Sequence, residues 1–348
     1  MNAAPPLRLL FWESTWRCNL ACTHCRRLQT GRAGEADLTT DEARLLFDSA
    51  ARLGRPIIVF SGGEPLMRND WQALSDYAHE LHLPTALATN GTMIDQQTAG
   101  RIGAAGFRRV SVSLDGADEQ THDSFRAARG AFRLAVAGIG ALRNSGQAVQ
   151  VNCTIASHNV RQLDAVYSLS LRLGAEALHL FLLVPVGCGA EIAATHRLDP
   201  QQCEDVLRWV CDHQEGGGIE LKATCAPQYY RLAAERGMAV EGSRGCLAGI
   251  SVAFVGHAGQ VFPCGYLPVS CGSVRDNDFA SIWHNSAVFA ALRDFSKLQG
   301  KCGQCEFRTV CGGCRARAYA QTGNYMAAEP ACAHLPGAAK KRKRAGRG

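Results

Sequence analysis

The sequence predicts an α/β protein, a partial (β/α)6 TIM-like barrel followed by a small cysteine-rich C-terminal domain. Three observations lead there. Between residues 8 and about 215, six short apolar runs alternate with longer amphipathic stretches, the pattern of βα units around a parallel sheet. Residue types suited to chemistry follow five of the six runs, and barrels of this kind gather their sites at the C-terminal ends of the strands. From residue 216 onward the chain turns Gly- and Cys-rich with little apolar core, as in a small domain stapled by metal.

The expected strands are 9–12, 57–60, 85–88, 109–114, 149–155 and 178–184. Helix-like stretches lie between them at 40–53, 70–82, 95–105, 131–145 and 159–173. Thr39 and Glu42 have the spacing of an N-terminal capping box, which sets the start of the first helix. Weak strands are expected at 250–255 and 260–263, and helices near 279–294 and 308–321. The boundaries that follow are a barrel over 8–215, a bridging segment over 216–243, a cysteine domain over 244–336 and a disordered basic tail over 337–348.

Composition excludes several classes. No apolar run approaches the roughly 18 residues of a membrane span, and the first residues lack the apolar stretch of a signal peptide, so a cytoplasmic protein is expected. The net charge of +6 does not point to nucleic acid. Six basic residues at 340–344 and 347 account for it, and the remaining 31 Lys and Arg balance the 31 Asp and Glu. Sixteen cysteines in a reducing compartment read as metal ligands rather than disulfides. Cys153, Cys203 and Cys211 lie in apolar-periodic segments and read as small core residues.

Chemistry concentrates in three motifs. Cys18, Cys22 and Cys25 form C-x3-C-x2-C after the first strand. Three thiolates can hold three irons of a [4Fe–4S] cluster and leave the fourth open to a reactant. A structural zinc with His24 as fourth ligand is the competing reading. Gly62, Gly63, Glu64 and Pro65 follow the second strand; two glycines permit close backbone approach, and a carboxylate can accept from an ammonium group. The third motif is the set Cys246, Cys264, Cys302, Cys305, Cys311, Cys314 and Cys332, for which a zinc ribbon is the alternative.

Together, C-x3-C-x2-C and the GGEP turn resemble the radical S-adenosylmethionine superfamily over residues 8–215. The resemblance implies S-adenosylmethionine on the open iron and, from it, a 5′-deoxyadenosyl radical that abstracts hydrogen from an unactivated carbon. It implies that Gly62, Gly63 and Glu64 hold the methionine amine, and that Ser113 and Asp115 contact the ribose or carboxylate. Asn90, Asn152 and Arg126 are further cofactor candidates. The C-terminal set resembles the SPASM extension, which binds one or two auxiliary [4Fe–4S] clusters. By that analogy Cys302, Cys305, Cys311 and Cys332 hold one, and Cys246, Cys264 and Cys314 another, with Cys225 as a fourth ligand. The family spacing between the last clustered pair is three residues, whereas Cys311 and Cys314 are separated by two.

Residues 179–187, 222–231 and 311–319 resemble the haem branch of this family. The resemblance implies oxidative decarboxylation of two propionates of iron-coproporphyrin III to vinyl groups, giving haem b, with a reduced flavodoxin- or ferredoxin-type electron donor. The family carries His before Tyr229, where this chain has Gln228. Propionates call for cations and bidentate arginine is the best receptor, so Arg231, Arg315 and Arg317, with Tyr229 and Tyr230, are the substrate candidates. The alternatives are a haem d1-branch enzyme, a SPASM maturase of ribosomal peptides, and a non-catalytic scaffold binding nucleic acid through the tail.

Overall fold

A computed structural model describes residues 4–26, 35–214, 217–239 and 244–337. The basic tail beyond 337 and Gly216 lie outside these residues. Among the described residues ten strands form one sheet: β1 (Leu9–Glu13), β2 (Ile57–Ser61), β3 (Thr85–Thr89), β4 (Val110–Ser113), β5 (Val149–Ile155), β6 (Ala177–Leu182), β7 (Glu220–Thr224), β8 (Val252–Val255), β9 (Gln260–Phe262) and β10 (Gly272–Ser273). Their order is β10-β9-β8-β1-β2-β3-β4-β5-β6-β7. From β8 through β7 every neighbouring pair is parallel; β8, β9 and β10 pair antiparallel. The six expected strands are all present. β7 extends the sheet beyond β6, and β8 from the cysteine-rich part pairs with β1. The curved sheet does not close on itself, because β7 and β10 are its two ends.

One face of the sheet packs under the helices. Val110, Val112, Val149, Val151, Leu178 and Leu180 are almost wholly buried there, each worth about 1.5–3 kcal/mol of apolar transfer. On the other face, Ser113, Asn152, His179 and Lys222 stand in register across β4 to β7 and line the barrel interior. The helix Thr40–Ala51 begins with the expected box, in which the Glu42 N–H donates to Thr39 Oγ1 and the Thr39 N–H to Glu42 Oε2. Its Phe47 meets Trp12 and Phe60 edge to face at 5.4–5.9 Å. This contact locks β1 and β2 together, the two strands whose C-terminal loops carry the first two motifs.

Helices Glu119–Arg126, Pro200–Gln214 and Gln228–Glu235 lie outside the helical stretches expected above. Glu119–Arg126 buries only His122, Phe125 and Arg126, so its sequence is too polar to show a stripe. Pro200–Gln214 and Gln228–Glu235 flank β7. The helix expected over 308–321 begins only at Arg315, because Gly312 and Gly313 both take positive φ, 70° and 64°, and bend the preceding segment around the cysteines.

Candidate active site

The loop after β1 carries Cys18, Cys22 and Cys25, none of them in a disulfide. Backbone contacts hold it in place. The Gly63 N–H donates to Thr15 O and the Glu64 N–H to Arg17 O, each at 2.8 Å. A Cβ on Gly63 would lie 2.1 Å from Arg17 O, and one on Gly62, at φ +138°, 2.6 Å from Thr15 O. The two glycines therefore let the turn after β2 lie flat against the cysteine loop. Thr15 Oγ1 and the Trp16 N–H donate to Asp37 at 2.6 and 2.9 Å, Asn90 Nδ2 donates to Asn19 Oδ1 at 2.8 Å, and the Cys188 N–H donates to Cys25 O at 2.9 Å. Loops after β2, β3 and β6 thus all grip this segment.

Donors reach the sulfurs. The Leu20 N–H lies 3.4 Å from Cys18 Sγ, and Arg126 Nη1 lies 3.7 Å from Cys22 Sγ. Burial pushes the Cys22 thiol up while Arg126 opposes it. Three thiols, two of them facing N–H donors, suit three irons of a [4Fe–4S] cluster. The zinc reading lacks its fourth ligand, because His24 points elsewhere. Its Nε2 lies 3.2 Å from Asp115 Oδ2, its Nδ1 faces Phe125 O at 3.2 Å, and its ring stacks on Phe125 at 3.8 Å.

Asp115 and Arg126 differ from expectation. Asp115 is fully buried, accepts from the Thr154 N–H at 2.7 Å and pairs with Arg126 Nη2 at 2.6 Å. Burial alone would raise its carboxyl, but Arg126 and His24 outweigh it and hold the group far below the usual carboxylate range. Asp115 is therefore an internal anchor for His24 and Arg126 rather than a contact for a ribose. Arg126, neutralised by Asp115 and turned to Cys22, is likewise not a free receptor for the methionine carboxylate. Helix Glu119–Arg126, which the apolar pattern missed, is what delivers Arg126.

Glu64 is also fully buried. Its carboxylate accepts from Thr89 Oγ1 and the Asn90 N–H, each at 2.8 Å, and from the Leu66 N–H at 3.2 Å. It thereby ties the loop after β3 to the turn after β2. Burial raises its pKa to about 7, against the pull of those three donors. An acid whose folded pKa is raised loses stability as pH climbs from its unfolded value of about 4.5 to about 7. The difference is worth about 3 kcal/mol. Urea titrations should show wild type losing roughly that much relative to Glu64→Gln over this window, and a pH-independent difference would refute the shift. Ser113 and Asn152 are half-buried neighbours on the inner face at the mouth, where a bound cofactor could meet them.

Eight of the remaining thirteen cysteines form two groups, Cys225, Cys246, Cys264 and Cys314 in one and Cys302, Cys305, Cys311 and Cys332 in the other. Cys225 directly follows β7. Burial pushes its thiol well up, and Cys314, Cys264 and Cys246 push it further; burial and Cys246 likewise raise Cys264 to about 12. Cys225 takes φ 55°, a strained left-handed conformation for a residue with a Cβ. Arg317 holds it there, donating to Cys225 O at 2.7 and 3.1 Å. Cys302, Cys305, Cys311 and Cys332 line one pocket, and Cys302 Sγ receives the Glu329 N–H at 3.3 Å. Two sets of four thiols, none disulfide-bonded, fit two further clusters.

The three arginines expected to meet propionates do not face a substrate. Arg231 pairs with Glu204 and with Glu235. Arg315 donates to the carbonyls of Tyr325 and Ala327 at 3.0 and 2.8 Å. Arg317 pairs with Glu329 at 3.4 Å. Each is at most 4 % exposed, and each guanidinium is engaged inside the protein, which corrects their reading as receptors. Gln228 is buried and donates to Ala331 O at 3.4 Å. Tyr229 and Tyr230 instead border a cavity of about 250 Å³ at the free edge of β7, with Lys222 and Glu220. The motifs passed over Asp37 and Arg26, of which Arg26 carried a local signal, its place directly after Cys25.

Comparisons with known proteins agree with this geometry. The radical SAM superfamily model matches residues 12–166, and the SPASM iron–sulfur cluster-binding domain matches 246–306. An AdoMet-dependent heme synthase of Methanosarcina barkeri is 44% identical over 97% of this chain and 99% of its own length. One from Nitratidesulfovibrio vulgaris is 42% identical over 96% of this chain and 94% of its own. Among solved structures, Streptococcus suis SuiB bound to its precursor peptide SuiA superposes with TM-score 0.77 at 16% identity, covering 95% of this chain and 76% of SuiB. Native anSMEcpe with bound AdoMet superposes with TM-score 0.70 at 20% identity, covering 92% and 94%. These two show the fold. Among the described residues no helix is long and apolar enough to cross a membrane. With both models matched and relatives aligned from end to end, the chain belongs to the radical S-adenosylmethionine superfamily, as an enzyme with a C-terminal SPASM iron–sulfur domain.

Proposed function

We propose that this enzyme oxidatively decarboxylates two propionates of iron-coproporphyrin III to vinyl groups, giving haem b. The observation that carries the reading is 42–44% identity to AdoMet-dependent heme synthases over nearly the full chain. A Fe-coproporphyrin III synthase and a pre-heme d1 synthase reach 31% and 32%, and a mycofactocin maturase 32%. Each propionate loses a hydrogen atom from its β-carbon, CO2 and one electron. Reduced cluster and S-adenosylmethionine, when bound, supply the hydrogen abstraction.

The chain's own groups then have these roles. Cys18, Cys22 and Cys25 hold the first cluster, with Arg126 donating to Cys22. Gly62 and Gly63 set the cysteine loop against the β2 turn, and Glu64 orients Thr89 and Asn90 at the mouth. Ser113 and Asn152 would line the cofactor's side of the inner wall. Cys225, Cys246, Cys264 and Cys314, and then Cys302, Cys305, Cys311 and Cys332, would hold auxiliary clusters, which would supply an acceptor for the departing electron. A reduced flavodoxin or ferredoxin would supply the electron that reduces the first cluster.

Anaerobic incubation with iron-coproporphyrin III, S-adenosylmethionine and a reductant is expected to yield haem b, with two CO2 per porphyrin. Formation of 5′-deoxyadenosine without change in the porphyrin would refute the substrate and turn attention to the peptide-maturase reading that the 32% relative represents. Anaerobically purified protein should carry about 12 irons per chain if all three sites hold four.

A further inference from the structure

We propose that Arg26 is the receptor for a carboxylate of the substrate, held at the barrel mouth between the first cysteine loop and the second cysteine group. The inference rests on the porphyrin reading above.

Arg26 follows Cys25, and its half-buried side chain reaches Ser61 and Phe254. Nη2 donates to Ser61 Oγ at 2.8 Å at the end of β2. The guanidinium carbon lies 4.6 Å from the centroid of Phe254 on β8. A Cβ built on Gly265 would come 3.1 Å from Nη1, so the residue after Cys264 leaves just enough room for it. One guanidinium thus touches β2, β8 and the segment of Cys264 while being covalently next to Cys25. A substrate that gives up a hydrogen at one cysteine set and an electron at another must sit between them, where this cation is.

Arg26 is half-buried. Of the buried arginines, Arg68, Arg126, Arg231 and Arg317 are each paired with a carboxylate, and Arg315 is taken up by the carbonyls of Gly313, Tyr325 and Ala327. Among the described residues no carboxylate pairs with Arg26, and the residues 27–34 that follow it include no Asp or Glu. A hydroxyl and a ring face satisfy part of a guanidinium, but its fork of N–H donors matches a carboxylate two bonds at a time. The ligand this guanidinium takes, beside the Phe254 ring, is a carboxylate on an apolar body, as in a porphyrin propionate.

The test is an anaerobic titration of iron-coproporphyrin III into cluster-loaded protein, followed by porphyrin absorbance, for wild type, Arg26→Gln and Arg26→Lys. We expect at least tenfold weaker binding for Arg26→Gln and partial recovery for Arg26→Lys. Iron content, the paramagnetic spectrum of the first cluster and S-adenosylmethionine binding should be unchanged in both. Wild-type porphyrin affinity in Arg26→Gln would overturn the proposal and leave the function standing. Loss of iron from the first site, or weaker S-adenosylmethionine binding alone, would assign Arg26 to the cofactor and also overturn it. A wild-type protein that does not bind the porphyrin would overturn the function and the proposal together.

Discussion

Gly63→Ala is expected to empty the Cys18–Cys25 loop of iron while the two later cysteine groups stay loaded. The added methyl would meet Arg17 O at 2.1 Å and Trp16 O at 2.7 Å. Both are backbone atoms, so no rotamer change relieves the clash. The bonds from the Gly63 and Glu64 N–H groups to Thr15 O and Arg17 O would be lost as the loop backs away, at about 1 kcal/mol each. Overpacking adds about 1–3 kcal/mol. Iron should fall by about four per chain, and cleavage of S-adenosylmethionine by more than about 100-fold, a barrier rise of about 2.7 kcal/mol. Wild-type iron content in this variant would show that the turn after β2 does not position the cysteines.

Asp115→Leu should cost about 3–5 kcal/mol in urea titration at neutral pH, because it leaves Arg126 buried and unpaired. The charge pair sits wholly inside the protein: Asp115 has no exposed surface and Arg126 is 9 % exposed. His24 would lose its anchor, and the Thr154 N–H its acceptor. Adding Arg126→Met to Asp115→Leu should recover part of the loss, since the uncompensated charge is then gone. Strict additivity of the two single losses would argue against an ion pair. The pH dependence has a definite sign. A depressed folded pKa means the pair contributes fully above the unfolded carboxylate pKa of about 4. That contribution fades only as pH falls below this value toward the folded pKa, so the gap between wild type and Asp115→Leu should narrow on acidification.

The first site was readable because its information is local. C-x3-C-x2-C and the GGEP turn each lie within eight residues of chain, and their spacing is covalent. The capping box at Thr39 was readable for the same reason. Helix Glu119–Arg126 was not, because its burial depends on a single Phe and two polar residues whose partners lie on other elements. Arg231, Arg315 and Arg317 were misassigned on the same ground. A sequence shows that a cation is present but not whether a carboxylate 27 residues earlier, such as Glu204, already neutralises it.

Cysteine spacing, strand periodicity and charge balance thus determined by themselves that this is a barrel with one three-thiol site and a metal-rich C-terminal part. Only the tertiary structure decided that β8 pairs with β1 while β7 ends the far edge. It also decided that Asp115 and Arg126 neutralise each other, and that Arg26 reaches Ser61 and Phe254. Pairing, burial and desolvation join residues tens to hundreds of positions apart, and no local pattern encodes which of many such partners the folded chain selects.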